Sequence, residues 1–343
     1  MKLAVVLFNL GGPDSPQAVE PFLRNLFGDP AILSLPAFLR LPLASVIARR
    51  RAPLARQIYA KIGGASPILG ETQAQAAALD KALADRGVSA KCFIAMRCWH
   101  PFSDETAAAI KAWGAGRIVY LPLYPQFSTT TTGSAFDDFN RAARAAGLAV
   151  PTSRMCCYPD DPGFMEAEAE LVQNTLTGPK AGVDYRLLLS AHGLPERTVA
   201  KGDPYQWQVE RTAHALVDRL GIEGLDWAVC YQSRVGPLEW IGPATDAEIR
   251  RAGRDGKGVV IAPIAFVSEH SETLVELDIE YRHLAQSCGV PDYRRVPTVG
   301  THSRFIEGLA DLALQAAAAS STISGCGARL CPTRFGRCVQ GGK

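Results

Sequence analysis

"GVVIAPIAFVSEHSETLVELDIEY", Gly258 to Tyr281, is the stretch whose reading decides the fold. Val259 to Phe266 is almost wholly apolar and rich in β-branched residues, the pattern of a strand buried on both faces. The residues that follow read as a helix carrying Glu269, Glu272, Glu276 and Glu280. At roughly 100° per residue the four glutamates fall within an arc of roughly 80°, with Leu274, Leu277 and Tyr281 opposite them. Val275 and Ile279 sit beside the acidic row, so the row is not simply the part farthest from apolar neighbours. Like charges four residues apart cost about 0.2–0.5 kcal/mol per pair. A solvated acidic face is one reading of this row; a site that binds or passes a divalent cation is the other.

Three further segments share the same design. "LAVVLFNLGGP" from Leu3 and "YRLLLSAHGLP" from Tyr185 each run from a buried strand into a glycine-containing loop closed by proline. "RIVYLPLYPQFSTTTTGS" from Arg117 matches the opening stretch, with a proline in the strand and a Ser/Thr-rich loop after it. Helical patterns lie between, at Glu71 to Arg86 and at Phe164 to Thr175. Strands alternating with helices imply an α/β protein with parallel sheets wrapped by helices, in two similar halves. The expected boundaries are 1–155 for the first half, with an insertion at about 28–67, and 156–320 for the second. A Cys-rich tail, 321–343, follows. Ligands of open parallel sheets bind beyond the carboxyl ends of the strands. The loops Asn9–Pro13, Gln126–Ser134, His192–Pro195 and Ser268–Glu272 are therefore expected to converge on one cleft.

The composition excludes several classes. Charged residues make up 20% of 343 and the net charge is +2, and the arginines form no stripe suited to nucleic acid. The N-terminus enters a strand at once, which reads as no secretory signal and implies a cytoplasmic protein. The longest apolar stretch, "GDPAILSLPAFLRLPLASVIARRR" from Gly28 to Arg51, is broken by Pro30, Pro36, Pro42 and Arg40, so it does not read as a membrane span. It reads either as packed on the body of the protein or as an exposed lip. The exposed lip is favoured, because prolines hold apolar residues in irregular backbone. Such a lip would touch a membrane surface peripherally or a large flat ligand.

Only six histidines are present. His192 ends "YRLLLSAH" where the chain must turn, and the loop holding His270 and Glu272 is expected nearby. Imidazole accepts a proton at neutral pH or binds a first-row metal. Arg49, Arg50 and Arg51 close the lip, Tyr59 and "GGASP" follow, and Arg97 stands after a strand in "AMRCWHPF". An apolar platform edged by arginines suits a hydrophobic dianion.

Taken in order, "NLGGP", "RRRAP…YAKIGGASPI", "RCWHP", "YPQFSTTTTGS", "SAHGLP", "YQSRVGP…WIGP" and "SEHSETLVELDIEY" cover nearly the whole chain. In these motifs the sequence resembles the ferrochelatases, which insert ferrous iron into protoporphyrin IX to make protohaem and release two protons. The resemblance implies paired Rossmann-like domains without a nucleotide. It also implies that His192 is the catalytic base and Glu272 its metal-binding partner. His270, Glu276 and Glu280 match the polar face that conducts protons or metal. Arg51 and Ser66 match positions that hold porphyrin propionates; Tyr59, Arg97 and Tyr124 match pocket residues, and Leu10 an apolar contact on the macrocycle. The competing expectations are a chelatase for another pair, such as cobalt with sirohydrochlorin, and a porphyrin or metal carrier without turnover.

The nine cysteines divide by position. Cys92, Cys98, Cys230 and Cys288 fall in or near element patterns and read as buried or surface thiols. Cys326, Cys331 and Cys338 lie in a short Gly-rich tail and read as metal ligands rather than disulfides. The resemblance implies a [2Fe–2S] cluster with one internal ligand. The animal members take that ligand from the loop that here carries Thr129, so Cys157 or Cys156 in "RMCCYPD" is the expected substitute. A zinc site is the alternative.

Overall fold

All seven residues of β1, Leu3–Asn9, are buried, because the strand has a parallel neighbour on each side. In this computed structural model, which describes residues 2–340 apart from Val235 and Pro237, the strands that follow are β2 (Ala90–Met96), β3 (Arg117–Pro122), β4 (Thr152–Met155), β5 (Tyr185–His192), β6 (Asp226–Gln232), β7 (Gly258–Pro263), β8 (Tyr293–Arg295) and β9 (Thr322–Ile323). Val235 and Pro237 of the YQSRVGP motif, and the last three residues of the tail, lie outside the described residues.

The strands form two all-parallel sheets, ordered β2-β1-β3-β4-β9 and β6-β5-β7-β8. The first four strands of each half follow one topology, second-first-third-fourth. The doubling read from the four apolar segments is therefore a doubling of β1 and β3 in β5 and β7. Helices lie between the strands throughout. The chain divides into two compact units. One holds the described residues up to Tyr158, then Leu309–Leu330 and the residues from Val339; the other holds Pro159–Gly308 and Cys331–Cys338.

Within the first unit, Phe8 and Tyr120 pack edge-on with Phe136 and Phe139 against the helix Ser134–Ala145. Within the second, Leu188, Val259 and Ile261 pack against Ile249, Leu277 and Ala285. The helices expected at 71–86 and 164–175 span Ile68–Asp85 and Pro162–Leu176. The latter starts where Asp161 accepts the Phe164 N–H at 3.0 Å, a side-chain cap.

Three expectations are corrected. The strand read through Phe266 stops at Pro263, and the Phe266 N–H turns back to the Pro263 carbonyl at 3.2 Å. The lip is not irregular backbone: Ala37–Ala60 is one helix with Pro42 and Pro53 inside it. Its buried residues are Ala44, Ala48, Ala52 and Tyr59, while Phe38, Leu39, Leu41, Leu43, Val46 and Leu54 are exposed. Small side chains on the packed face let this helix lie close to the helix Val19–Gly28 and leave the large apolar ones outside. Lastly, Glu269 and His270 precede the acidic helix. The residues Glu272–Glu280 form a π-helix, seen in the Tyr281 N–H that reaches Glu276 O five residues back.

Candidate active site

In the second unit the order of β6-β5-β7 reverses direction between β5 and β7, so the carboxyl ends of these strands border the crevice where such sheets bind ligands. His192 is the last residue of β5. Gly193 must follow it, because a Cβ there would stand 2.9 Å from the Gln232 carbonyl oxygen, to which the Gly193 N–H donates at 2.8 Å. The His192 Nδ1–H donates to the Gly193 carbonyl, N···O 2.5 Å. That bond assigns the proton to Nδ1 and leaves the Nε2 lone pair facing Glu272, whose Oε1 is 3.6 Å away.

His270 repeats the arrangement from the loop after β7. Its Nδ1 lies 3.1 Å from the Ser268 carbonyl and its Nε2 4.0 Å from Glu272 Oε2. Burial pushes the His270 imidazole below its ordinary pKa, against the pull of Glu272. Glu272 thus stands between two imidazoles, each presenting Nε2.

The π-helix brings Glu276 beside Glu272. Hydrogen bonds to the fifth residue widen the turn, so positions four apart come closer to eclipsing than in an α-helix. Glu276 Oε1 accepts the Ser233 N–H at 2.8 Å and the Tyr281 hydroxyl at 2.9 Å. Its Oε2 accepts the Gln232 amide at 3.2 Å. The Ser233 hydroxyl lies 2.5 Å from Glu276 Oε2 and 3.0 Å from Glu272 Oε2, with one proton to donate. Burial first and the Glu272 charge second push the Glu276 carboxyl above its ordinary pKa, while the Ser233 and Tyr281 bonds pull it back. Glu280, the last residue of the π-helix, is exposed.

Ser233 and Gln232 were missed by sequence reasoning. The signal was present in "YQSRVGP", but nothing local distinguishes a serine that bridges two carboxylates from one on a loop. Glu269, read as part of the acidic row, is engaged elsewhere. Its carboxylate pairs with Arg295 at 2.5 Å and accepts the Thr298 N–H at 3.0 Å.

The remaining expected site residues lie in the first unit. Leu10 and Tyr59 belong to one apolar cluster with Phe22, Ala48, Ala52 and Cys98. Exposed Arg51 places its guanidinium 5.5 Å from the Phe27 ring. The Ser66 N–H donates to Pro13 O at 2.7 Å, which ties the "GGASP" turn to the β1 loop. Arg97 pairs with the nearly inaccessible Asp29 at 3.0 Å and donates to Ser134 Oγ at 2.8 Å. The Tyr124 hydroxyl is buried with no hydrogen-bond partner among the described residues.

The thiols fall into two groups. Cys156 and Cys157 are buried with Phe127 and Leu330 in the first unit, their sulfurs 3.5 Å apart. Cys331 and Cys338 are buried with Phe335 and Trp207 in the second, where the Gln208 amide donates to Cys331 Sγ at 3.1 Å. Cys326 is exposed. Among the described residues no three His, Cys, Asp or Glu side chains are gathered closely enough to hold a metal ion.

Comparison with known proteins gives this geometry a family. The chain is 54% identical over 341 residues to a ferrochelatase of Phenylobacterium zucineum, covering 99% of this chain and 98% of that one. It is 52% identical over 345 residues to a ferrochelatase of Caulobacter vibrioides, covering 98% of each. Among solved structures it superposes on the sirohydrochlorin chelatase SirB of Bacillus subtilis subspecies spizizenii with a TM-score of 0.55, covering 93% of this chain and 96% of that one. At 13% identity that is a likeness of fold alone. The family model for ferrochelatase matches residues 2–317, and the chain belongs to the ferrochelatase family.

Proposed function

We propose that His192 and Glu272 are the pair with which this ferrochelatase inserts Fe²⁺ into protoporphyrin IX. Metallation replaces two pyrrole N–H protons with one divalent ion, so the site must accept two protons as the metal enters. His192 Nε2, its tautomer fixed by Gly193, is the base that takes a proton from the ring. Glu272 offers oxygen to the iron, and His270 presents a second nitrogen toward the same carboxyl. Glu276, joined to Glu272 through Ser233, receives protons, and the exposed Glu280 continues the row toward solvent. The single observation that carries this reading is that two loops from different strands aim imidazole Nε2 atoms at one carboxylate. A carrier without turnover would need no base so placed. His192→Ala is expected to abolish metallation while porphyrin still quenches tryptophan fluorescence on binding; retained turnover would remove His192 from the mechanism.

Leu10, Tyr59 and Tyr124 are proposed as apolar and aromatic contacts to the macrocycle, and Arg51, Ser66 and Arg97 as its polar ones. The exposed face of the lip helix, with Phe38 at 75% and Leu54 at 63% exposure, supports either the macrocycle wall or peripheral contact with a membrane surface. No helix among the described residues is long and apolar enough to cross a membrane.

For the tail, the proposal is that Cys326, Cys331 and Cys338 with Cys157 (or Cys156) hold a [2Fe–2S] cluster. The support is the soft donor set and the Gln208 amide aimed at the Cys331 sulfur, a bond of the kind that tunes cluster thiolates. When bound, the group would supply one-electron redox chemistry. Anaerobically purified protein is expected to show visible absorption and, after reduction, an EPR signal. Zinc in its place would leave both silent.

A further inference from the structure

The chain after His192 makes a closed loop. From Gly193 it passes through the short helix Glu196–Ala200 and re-enters the fold at Tyr205, first residue of the helix Tyr205–Leu220. Tyr205 is buried, and its hydroxyl lies against the backbone N–H of His192, with the Glu272 charge close by. Asp203, inaccessible to solvent, accepts the Tyr205 N–H at 3.0 Å and fixes the entry to the helix. The far end of the loop that follows the imidazole thus returns to the neighbourhood of the residue it starts from.

The same loop is gripped from outside by residues near the C-terminus. The Arg337 N–H donates to the Gly202 carbonyl at 3.1 Å. Gly202 has φ +94°, and a Cβ there would meet the Gly336 nitrogen at 3.0 Å, so the two backbones approach as only glycine allows. One turn into the helix, the Gln208 amide holds Cys331 Sγ, and the Phe335 ring packs 5.9 Å from that of Trp207. Segment Cys331–Cys338 therefore touches both the loop and the first turn of the helix carrying Tyr205.

We propose that Cys331–Cys338 is a clamp on the His192 loop, and that Tyr205 is the positioning residue through which the clamp fixes the imidazole over Glu272. The proposal rests on His192 being the base. It assigns the tail a mechanical role that holds whether or not a metal is bound there. Loosening the clamp lets the loop open and the His192–Glu272 geometry spread, so turnover falls. Porphyrin affinity changes little, because the proposed macrocycle contacts lie on other segments of the chain.

The test compares Phe335→Ala and Tyr205→Phe with the parent protein in three measurements. Amide hydrogen exchange without substrate should be faster across 193–204 in both variants and unchanged in β1 and β3. The kcat for Fe²⁺ insertion should fall about three- to tenfold, with KM for porphyrin about unchanged. Modification of the His192 imidazole by diethyl pyrocarbonate should be faster, as it must be if the loop opens around it. Phe335→Tyr, which keeps the ring, should restore all three, and Phe335→Leu serves if the alanine variant does not fold. Parent-like exchange in 193–204 with Phe335→Ala, or unaltered kcat with Tyr205→Phe, would overturn the proposal. Turnover retained by His192→Ala would count against the base alone, since the exchange measurement decides the clamp without it.

Discussion

Ser233 holds its backbone in the left-handed region at φ +60°, which costs a residue with a side chain about 1–3 kcal/mol. What that conformation achieves is to bring both N–H and hydroxyl to the Glu272–Glu276 pair. Ser233→Gly relieves the strain and keeps the N–H but removes the hydroxyl. Thermal stability should therefore hold or rise, while kcat falls about ten- to a hundredfold, as expected for losing a hydrogen bond to a charged group. Removing a purely structural serine would instead lower thermal stability and leave kcat near the parent value. Glu168 shows the opposite case, a carboxyl with no use in the site. It is wholly buried, neither oxygen has a hydrogen-bond partner among the described residues, and burial pushes its pKa up to about 8. The sign follows: the unfolded chain ionises Glu168 near its ordinary value and the folded chain does not, so stability is lost as pH rises from about 4.5 to about 8. Glu168→Met should be more stable than the parent at pH 7.5 by a few kcal/mol, with the difference shrinking toward pH 4.5 in chemical denaturation. Neither residue was legible in sequence. Ser233 takes its role from side chains some 40 positions away, and Glu168 sits in a helix whose pattern allows a glutamate on either face.

At the scale of elements, the strands buried on both faces could be read directly: β1, β3, β5 and β7 are near-continuous apolar runs because parallel neighbours cover both edges and helices cover both faces. The pairing of His192 with Glu272 followed from the same logic, since strand order places their loops together. The π-helix could not be read. Its wide turn is imposed by tertiary contacts, among them Arg295, which pairs with Glu269 at 2.5 Å before the helix and with Asp278 at 2.6 Å inside it. An assumed α-helical period therefore put Glu269 in the row and understated how nearly Glu272 and Glu276 align. The lip helix hid for a related reason: its prolines argued against a helix that alanine packing sustains. Its root depends on one buried ion pair, Asp29 with Arg97, supported by the Ser134 hydroxyl at 2.5 Å from Asp29. Asp29→Ala leaves the Arg97 guanidinium unpaired in a confined site and should cost about 3–5 kcal/mol. A lowered unfolding midpoint in urea, with proteolysis beginning between residues 28 and 60, is the expected result. An unchanged midpoint would mean that solvent already screens the pair.

At the scale of the whole molecule, the fold does not choose the substrate. The SirB chelatase has the same architecture at 13% identity. Under the proposed reading, the feature that suits this chain to an apolar macrocycle is the lip, whose large side chains face outward although water is a poor environment for them. Apolar surface removed from water stabilises a complex by about 25 cal/mol per Å², so each large side chain covered in part by a ligand contributes on the order of 1 kcal/mol. Replacing Phe38, Leu39 and Leu41 together by serine should raise KM for protoporphyrin about tenfold or more and leave kcat near the parent value. The base and carboxylates stand on other elements, and such a change removes binding shared equally by ground and transition states. The same variant separates the two occupants of the lip. If KM is unchanged and co-sedimentation with anionic vesicles is lost, the exposed face serves a membrane surface and the macrocycle is held by the cluster around Leu10 and Tyr59. If KM rises and vesicle binding is unaltered, the lip is part of the porphyrin site.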